Sequence, residues 1–355
     1  MTYNSLIEKV NSHFTKSLPF VIYSLPDSDT ISISLQKDKI LNNTGDFTTE
    51  SFVFAPFDYK DEANCIPKEL SESYEIPYAD ISITDQKIVI KKNLKEKERY
   101  CKLVEKTKEA IQSSSKSKVV ISRSKSFQLE KFDLSVLLSR LLNLYKPAFR
   151  YIWYHPKTGL WCGATPELLL KTDGTSFQTM ALAGTKKYVE DKLPRWTEKE
   201  REEQQIVTDS ITSSLEKVTS ILKVSRTYNS KSASLVHLRT DFTGIFNKGK
   251  TTLSNITSVL HPTPAVCGHP KDKASQFILA HENYDREYYT GFLGPICGLE
   301  NCSKLYVNLR CMKIEKDKAT LYVGGGITFD SVEEDEWKET QNKMQTMLQV
   351  LQPML

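Results

Sequence analysis

Paired cysteines are missing from this chain. It contains seven cysteines among 355 residues, an odd number, and no two of them form a C-x-x-C pair. This argues against both a zinc ribbon and a disulfide framework. The pattern predicts a reduced, cytoplasmic protein. The cysteines are Cys65, Cys101, Cys162, Cys267, Cys297, Cys302 and Cys311.

Long apolar runs are also absent. The opening residues, MTYNSLIEKVNSHF, mix acidic with basic side chains and lack the continuous apolar stretch of a signal peptide. No later run reaches the length of a membrane span. We therefore expect no membrane partner. With 355 residues the chain is long enough to bury a large core.

Charge of one sign is not concentrated anywhere. The 48 lysines and arginines and the 44 acidic residues leave a net charge of only +4, and the lysines are scattered. Nucleic-acid-binding proteins instead carry long basic blocks or arginines interleaved with aromatic residues. We expect no nucleic-acid partner.

Groups of predicted strands alternate with long predicted helices. Residues 1–92 predict a short helix and several strands, and residues 149–184 predict strands joined by tight turns. One long polar helix is predicted over residues 194–222, and another begins at the capping box that Ser331 and Glu334 would form. This order predicts an α+β fold with antiparallel sheets.

Residues 244–251, GIFNKGKT, match the phosphate-binding expression G-x-x-x-x-G-K-[ST]. A working P-loop needs a strand that ends before its first glycine, whereas Ile245 and Phe246 continue a strand pattern. No convincing apolar strand ending in Asp follows to help hold magnesium. We favour a strand and turn here, and keep a P-loop nucleotide-binding protein as the alternative from another functional class.

Four polar residues have surroundings that need an explanation. Glu167, between a proline and three leucines, is either an ordinary solvent-facing acid or a desolvated, proton-carrying one. Glu203 lies near the apolar stripe of a polar helix, and His261, beside two prolines, is either structural or catalytic. Arg310 falls in an apolar strand, where a buried guanidinium needs an anionic partner.

The chain resembles the chorismate-utilising enzymes in the fragments KVVISR, GATPELLL, ALAGT, KEREEQQIV, HL, LHPTPAVCG, DREYYTG, LRC and GGGI followed by EWKET. The likeness is greatest to the isochorismate synthases that serve menaquinone and siderophore pathways. It runs from about Lys118 to Leu351 and depends on the order and spacing of the whole set. It implies the fold of anthranilate synthase component I, in which antiparallel sheets enclose a deep site with helices outside.

The resemblance also predicts how the chain is divided into two parts. Residues 1–92 match weakly and are expected to be a β-rich N-terminal part of the same fold. Residues 93–355 are expected to form the chorismate-binding catalytic region. Relatives of this type are often monomeric, and we expect a monomer.

A magnesium site is part of what the resemblance implies. The expected ligands are Glu203 and Glu339, on two different helices. Glu336, one helical turn from Glu339, would support the ion directly or through water. Oxygen ligands are those that Mg²⁺ prefers. Most relatives carry histidine where this chain has Gln204, so the surroundings of the metal are expected to differ here.

Chorismate is the substrate that the resemblance implies, and its two carboxylates need partners in a closed site. The ring carboxylate would meet magnesium, Lys343 and the backbone of residues 184–185. The enolpyruvyl carboxylate would meet Arg310 and the amides of residues 324–326, where the lack of side chains permits close approach. The implied substrate-binding residues are Gly184, Thr185, His261, Arg310, Gly324, Gly325, Gly326 and Lys343.

Two further residues would carry the chemistry. By the same resemblance, Lys118 is the general base that activates water, and Glu167 is the general acid that protonates the departing ring hydroxyl. Water adds to the ring carbon beside the carboxylated one, so chorismate is isomerised to isochorismate without redox chemistry. Each proton transfer contributes roughly 10²–10⁴-fold to the rate when Lys118 is partly neutral and Glu167 partly protonated.

Single residues separate this chain from other branches of the family. Ala183 stands where aminodeoxychorismate synthases resembling this chain carry a nucleophilic lysine. Lys118 stands where anthranilate synthases usually carry glutamine, because ammonia needs less activation than water. An isochorismate synthase is therefore favoured over an enzyme like anthranilate synthase component I. Salicylate synthases share the lysine, and a salicylate synthase stays open as the alternative.

Overall fold

The computed structural model of the protein describes residues 3–78, 81–83, 88–90, 93–111, 117–188, 194–232, 235–247, 249–298 and 303–355. In these ranges the helices are α1 (Tyr3–Thr15), α2 (Leu94–Ile111), α3 (Leu134–Leu144), α4 (Glu198–Leu215), α5 (Leu253–Leu260), α6 (Lys271–His281) and α7 (Glu333–Leu351), followed by a short 3₁₀ turn (Gln352–Met354). The strands are β1 (Phe20–Ser24), β2 (Thr30–Gln36), β3 (Asn42–Thr44), β4 (Ser51–Ala55), β5 (Ala63–Pro67), β6 (Ser71–Pro77), β7 (Lys118–Gln128), β8 (Phe149–His155), β9 (Gly159–Thr165), β10 (Leu168–Asp173), β11 (Ser176–Lys187), β12 (Thr219–Val224), β13 (Tyr228–Ser232), β14 (Leu235–Phe246), β15 (Gly268–His269), β16 (Phe292–Ile296), β17 (Lys304–Val307), β18 (Cys311–Glu315) and β19 (Lys318–Ile327).

Two antiparallel sheets form the centre of the molecule. The first has the strand order β15-β7-β19-β18-β9-β8-β1-β2-β6. The second has the order β12-β14-β11-β10-β17-β16-β4-β5-β3, and β13 also pairs with β14. The longest ladders join β7 to β19 and β11 to β14, and both of them reach the site described below.

Aromatic side chains fill the space between the sheets. Trp153 and Trp161 project from β8 and β9 of the first sheet towards Phe54 on β4 of the second, and the Phe54 and Trp153 ring centroids are 5.0 Å apart. Because side chains alternate along a strand, Ile152 faces the other way, into a cluster formed with α1, α3 and α7. Helices α4 and α5 cover the second sheet in the same way. The predicted α+β fold, with antiparallel sheets inside and helices outside, is confirmed.

The N-terminal strands belong to both sheets. Strands β1, β2 and β6 extend the first sheet beyond β8, and strands β4, β5 and β3 extend the second beyond β16. Residues 1–92 therefore contribute one edge of each sheet. A division of function at residue 92 stays a prediction.

Two predicted helix limits are wrong. Helix α4 ends at Leu215, because the β-branched residues that follow form β12 and pair with β14. Ser331 does not cap α7. Val332 is the N-cap residue, and the Ser331 hydroxyl instead donates to Glu336 Oε1 at 2.7 Å. In both places contacts with distant or later residues override the local pattern.

The phosphate-loop alternative is also wrong. Gly244 lies inside β14, paired with Phe177 on one side and Leu222 on the other, so its backbone belongs to a sheet rather than to a loop. A Cβ at this position would lie 2.2 Å from the carbonyl oxygen of Ile221, which explains the glycine by close packing. The turn follows only at Asn247, whose carbonyl accepts a hydrogen bond from the Lys250 amide at 3.0 Å.

None of the helices in the described ranges combines the length and the apolar character that crossing a bilayer requires.

Candidate active site

A cavity of about 200 Å³ lies where the ladders β7–β19 and β11–β14 approach each other beneath α4 and α7. It brings together residues from ten separate stretches of the described chain, most of them polar or glycine. The lining residues are Lys118, Val120, Pro166, Glu167, Leu182, Ala183, Gly184, Glu200, Glu203, His237, Ala265, Val266, Tyr289, Thr290, Leu309, Arg310, Tyr322, Val323, Gly324, Gly325, Gly326, Glu336, Glu339 and Lys343. Every residue predicted to be catalytic or a metal ligand is among them.

Lys118 begins β7 and meets a glutamate from α4 across the cavity. Its Nζ donates to Glu203 Oε1 at 2.7 Å, and the lysine side chain is only 2% exposed. The pair lies directly against Gly326 of β19. A Cβ there would be 2.5 Å from Lys118 Cε and 2.8 Å from Glu203 Oε1. The glycine is therefore required by the approach of the ion pair, which the sequence could not show.

Three residues of α7 lie on one helical face and reach the cavity, as their spacing predicts. Lys343 Nζ contacts Glu339 Oε1 at 2.6 Å and donates to the Gly324 carbonyl at 2.8 Å. Glu336 is 5% exposed and reaches the backbone of β19, where a Cβ on Gly325 would lie 3.1 Å from its Oε2. The glycine run and the acidic helix thus form adjoining walls of one cavity.

Glu167 is buried in the connection between β9 and β10. Burial raises the pKa of its carboxyl to about 7, against the opposing effects of Lys118, the Thr263 hydroxyl and Lys343. Thr263 Oγ1 donates to Glu167 Oε1 at 3.4 Å. Of the two interpretations that the sequence leaves open, the structure favours the desolvated acid. A carboxyl with this pKa is partly protonated near neutral pH and can donate a proton there.

Arg310 lies in the turn before β18 rather than within the strand. Its backbone is left-handed, with φ of 48°, and its Nη1 donates to Thr346 Oγ1 at 3.2 Å. Burial lowers the pKa of its guanidinium, and nearby Glu339 opposes that shift. The side chain lines the cavity, where it presents a planar cationic donor to an anionic ligand.

His261 is not among the residues that line this cavity, and its role as a substrate-binding residue stays a prediction. Its Nε2 lies 3.0 Å from the Phe57 carbonyl oxygen, and burial lowers the pKa of the imidazole to about 4. The ring packs edge-on to Phe292 in the second sheet. The same motif instead provides Thr263, which contacts Glu167, and Val266, which lines the wall. Thr185 is described only in its backbone, which pairs with His237.

His237 is a lining residue in the fragment HL, which is part of the resemblance but received no role from the sequence. Its Nδ1 is 3.2 Å from the Gly184 carbonyl oxygen. Because a carbonyl only accepts, Nδ1 carries the proton and Nε2 is the acceptor. Burial, followed by the charge of Arg310, lowers the pKa of His237 to about 4, so the ring is neutral. Tyr289 and Thr290, in the fragment DREYYTG, were also missed, although that fragment is part of the resemblance.

Gln204, for which the resemblance leads one to expect histidine, holds helix α4 against β11. Its Oε1 accepts from the Ala183 amide at 2.9 Å, and its Nε2 donates to Thr240 Oγ1 at 3.0 Å. Neighbouring Glu200 lines the cavity too, and its carboxylate contacts Lys186 at 2.9 Å. Gln204 therefore fixes the helix that presents Glu203, without itself lining the cavity.

The cavity has more acidic than basic groups. Its lining includes five glutamates but only three lysine and arginine side chains, Lys118, Arg310 and Lys343. Within the described residues, however, no three Asp, Glu, His or Cys side chains are close enough together to hold a metal ion. The carboxylates of Glu203 and Glu339 contact lysines instead. A Mg²⁺ ion commonly takes only one or two carboxylates from the protein and completes its shell with water or ligand oxygens. The carboxylates of Glu203 and Glu339, which lie on separate helices, fit that pattern.

Comparison with protein families gives a match over most of the chain. The model of the family described as "Chorismate binding enzyme" matches residues 43–352. Isochorismate synthase EntC of Escherichia coli strain K12 is 35% identical over 243 residues, which are 66% of this chain and 62% of that protein. Isochorismate synthase DhbC of Bacillus subtilis strain 168 is 33% identical over 198 residues, 53% of this chain and 50% of that protein. The chain therefore matches less than two thirds of the length of these relatives.

Solved structures match over more of the chain. The crystal structure of DhbC from Bacillus anthracis superposes with a TM-score of 0.81 and 25% identity, covering 97% of this chain and 99% of that one. MenF from Escherichia coli superposes with a TM-score of 0.78 and 22% identity, covering 94% of this chain and 88% of that one. The N-terminal strands are thus included in a shared fold.

Proposed function

The chain belongs to the chorismate-binding enzyme family, and from that membership we propose that it is an isochorismate synthase, an isomerase that converts chorismate to isochorismate. One observation carries the proposal. Lys118 and Glu167 line the same cavity, and burial raises the pKa of Glu167 to about 7. A lysine base and a protonated acid facing one ligand are what addition of water and loss of a hydroxyl require.

In the proposed reaction Lys118 takes up one proton and Glu167 gives up one, so no net proton is consumed. The neutral amine of Lys118 takes a proton from water, and the water oxygen bonds to the ring carbon beside the carboxylated one. The ring double bonds shift, and the ring hydroxyl leaves as water with the proton that Glu167 supplies. In the structure Lys118 Nζ donates to Glu203 Oε1 at 2.7 Å, and the neutral amine that acts as the base keeps N–H groups for this contact while its lone pair accepts the proton.

Magnesium is proposed as the cofactor, with Glu203 and Glu339 as its ligands and Glu336 beside them. With Glu167 protonated, the lining still has four other glutamates against three basic side chains, so a dianionic substrate would add to an existing excess of negative charge. When bound, a divalent ion supplies compensating positive charge and an electrophile for a substrate carboxylate. Arg310 and Lys343 supply the remaining cationic contacts.

One assay distinguishes the enzymes of this family. Purified protein is incubated with chorismate and Mg²⁺, and the products are separated as isochorismate, salicylate or, when ammonia is added, anthranilate. We expect isochorismate, formed reversibly and without nucleotide. Accumulation of salicylate with pyruvate would instead establish the salicylate synthase alternative, and unchanged chorismate would refute the proposal.

Changing the proposed metal ligands should raise the magnesium requirement. Glu339→Gln and Glu203→Gln each replace a carboxylate by a neutral amide, so half-maximal turnover should need at least about tenfold more Mg²⁺. The measurement is a magnesium titration at saturating chorismate. Glu334→Gln is the matched control, since Glu334 lies on the same helix but contacts Lys97 at the surface. An unchanged titration in both ligand variants would contradict the assignment.

Removing the arginine of the cavity should chiefly weaken binding. Arg310→Ala leaves a desolvated substrate carboxylate without its cationic partner, and we expect at least about a tenfold rise in the KM for chorismate with a smaller change in kcat. Steady-state kinetics at saturating Mg²⁺ measure both constants. Arg239→Ala removes a half-buried contact with Asp241 and a contact with the Tyr228 ring, and since Arg239 does not line the cavity, both constants should stay unchanged. An unaltered KM in Arg310→Ala would assign the carboxylate to other groups.

The product is proposed to enter menaquinone or siderophore synthesis, because relatives named for both pathways match the chain.

We also propose that the protein is a monomer. Light scattering during size-exclusion chromatography tests that proposal directly.

A further inference from the structure

Arg286 is buried behind the cavity wall and uses all five of its N–H groups. Its Nε donates to Glu282 Oε2 at 2.8 Å, and its Nη2 donates to Glu282 Oε1 at 2.6 Å and to the Val120 carbonyl at 2.7 Å. Its Nη1 donates to the Val266 carbonyl at 3.0 Å and to Thr290 Oγ1 at 3.1 Å. A guanidinium has five donors, so each one is satisfied here.

The partner of Arg286 is attached to the same wall. Glu282 follows α6, and its Oε1 accepts hydrogen bonds from the Ser122 amide at 2.6 Å and the Ser122 hydroxyl at 2.9 Å. Both side chains of the ion pair are 2% exposed. A buried ion pair retains its charge only where hydrogen bonds satisfy it this fully, and removing one member leaves the other uncompensated.

The three lining residues that Arg286 contacts belong to separate elements. Val120 is on β7, two residues beyond Lys118, and Thr290 follows Tyr289 in the connection to β16. Val266 lies in the loop that carries Thr263, whose hydroxyl contacts Glu167. Arg286 itself is not a lining residue. One guanidinium therefore joins the strand that carries the proposed base to the loop that contacts the proposed acid.

We propose that Arg286 is a positioning residue, which holds Lys118 and Glu167 at the separation that the two proton transfers need. The inference rests on the proposed function for its catalytic consequence, whereas the mechanical link stands on the hydrogen bonds alone. Proton transfer is sensitive to such placement, because a displacement of about 1 Å can lower a rate by roughly 10²-fold.

Arg286→Lys tests the proposal. Lysine keeps the charge and has three donors on one nitrogen, so it cannot reach five acceptors arranged around a plane. We expect kcat to fall at least about tenfold, while the chorismate dissociation constant, measured by calorimetry with Mg²⁺ present, changes by less than about threefold. Amide hydrogen exchange should become faster in peptides covering residues 118–122 and 263–268.

Arg150→Lys is the matched control. Arg150 is also fully buried and donates to Ser24 Oγ, the Leu25 carbonyl and Tyr78 Oη, but it lies outside the cavity lining. Both substitutions should lower the melting temperature. Only Arg286→Lys should lower kcat per folded molecule and alter exchange in the cavity wall. Equal effects of the two substitutions on kcat would overturn the positioning role.

Further outcomes also test whether Arg286 is a positioning residue. A wild-type kcat in Arg286→Lys, or an equal loss of kcat and affinity, would overturn the proposal. If the wild-type protein makes no isochorismate, the proposed function fails, and hydrogen exchange alone decides whether Arg286 holds the wall together. If Arg286→Lys does not fold, Glu282→Gln replaces it, because the amide keeps the shape but removes the ion pair; the same kinetic and exchange criteria apply.

Discussion

Lys118→Ala is expected to lower the turnover of chorismate by at least about two orders of magnitude. The substitution removes the amine that would take a proton from water, and the lining offers no second lysine near Glu203 within the described residues. Affinity should stay near normal, because Lys118 contacts Glu203 rather than a proposed carboxylate-binding group. Product formation and calorimetric binding of chorismate, both with Mg²⁺, measure the two effects.

Lys125→Ala is the matched control for this result. Lys125 lies on the same strand, β7, but contacts Glu96 at 2.7 Å and does not line the cavity. Its removal should leave turnover unchanged. If Lys118→Ala turns over at the wild-type rate, another group activates the water and the role proposed for Lys118 is wrong.

Glu167→Gln should cause a loss of similar size for the opposite reason. Glutamine keeps the shape and the contact with the Thr263 hydroxyl, but it cannot supply a proton, so the departing hydroxyl remains a poor leaving group. We expect at least about a hundredfold fall in kcat with chorismate affinity retained. A variant with full activity would exclude Glu167 as the acid.

The pH profile gives a second test of Glu167. Its pKa is raised to about 7, and the protonated form is the one proposed to act. Wild-type kcat/KM should therefore decline as the pH rises through about 7, since the acid is then lost. The residual activity of Glu167→Gln should lack this decline. A wild-type profile that is flat between about pH 6 and 8 would contradict the assignment.

The sequence predicts the elements of the site better than their contacts. Glu336, Glu339 and Lys343 lie on one face because helical spacing requires it, and the structure places all three on the cavity. The direction of the His261 ring could not be predicted in this way, because it depends on the carbonyl of Phe57, about two hundred residues earlier in the chain. Local periodicity contains no information about such a partner.

Close packing and strand pairing explain the other features of the structure that the sequence did not predict. Gly326 lines the cavity, and its substrate-binding role stays a prediction, but the structure adds a reason for the glycine that the sequence could not show, the close approach of the Lys118–Glu203 pair. The segment that continues the predicted helix beyond Leu215 becomes β12, since pairing with β14 satisfies its backbone and suits its β-branched residues. Strand pairing over long distances and the approach of side chains to glycine are tertiary effects, and a single sequence gives no register for them.

The placement of the N-terminal strands has a consequence for dividing the protein. Strands β1, β2 and β6 lie beyond β8, and β4, β5 and β3 lie beyond β16, so a fragment of residues 93–355 would leave the backbone of β8 and of β16 unpaired on one side. Unpaired strand edges of this kind attract complementary strands. A fragment of residues 1–92 carries both complements. We therefore expect each of the two fragments to need the other, because only together do they complete both sheets.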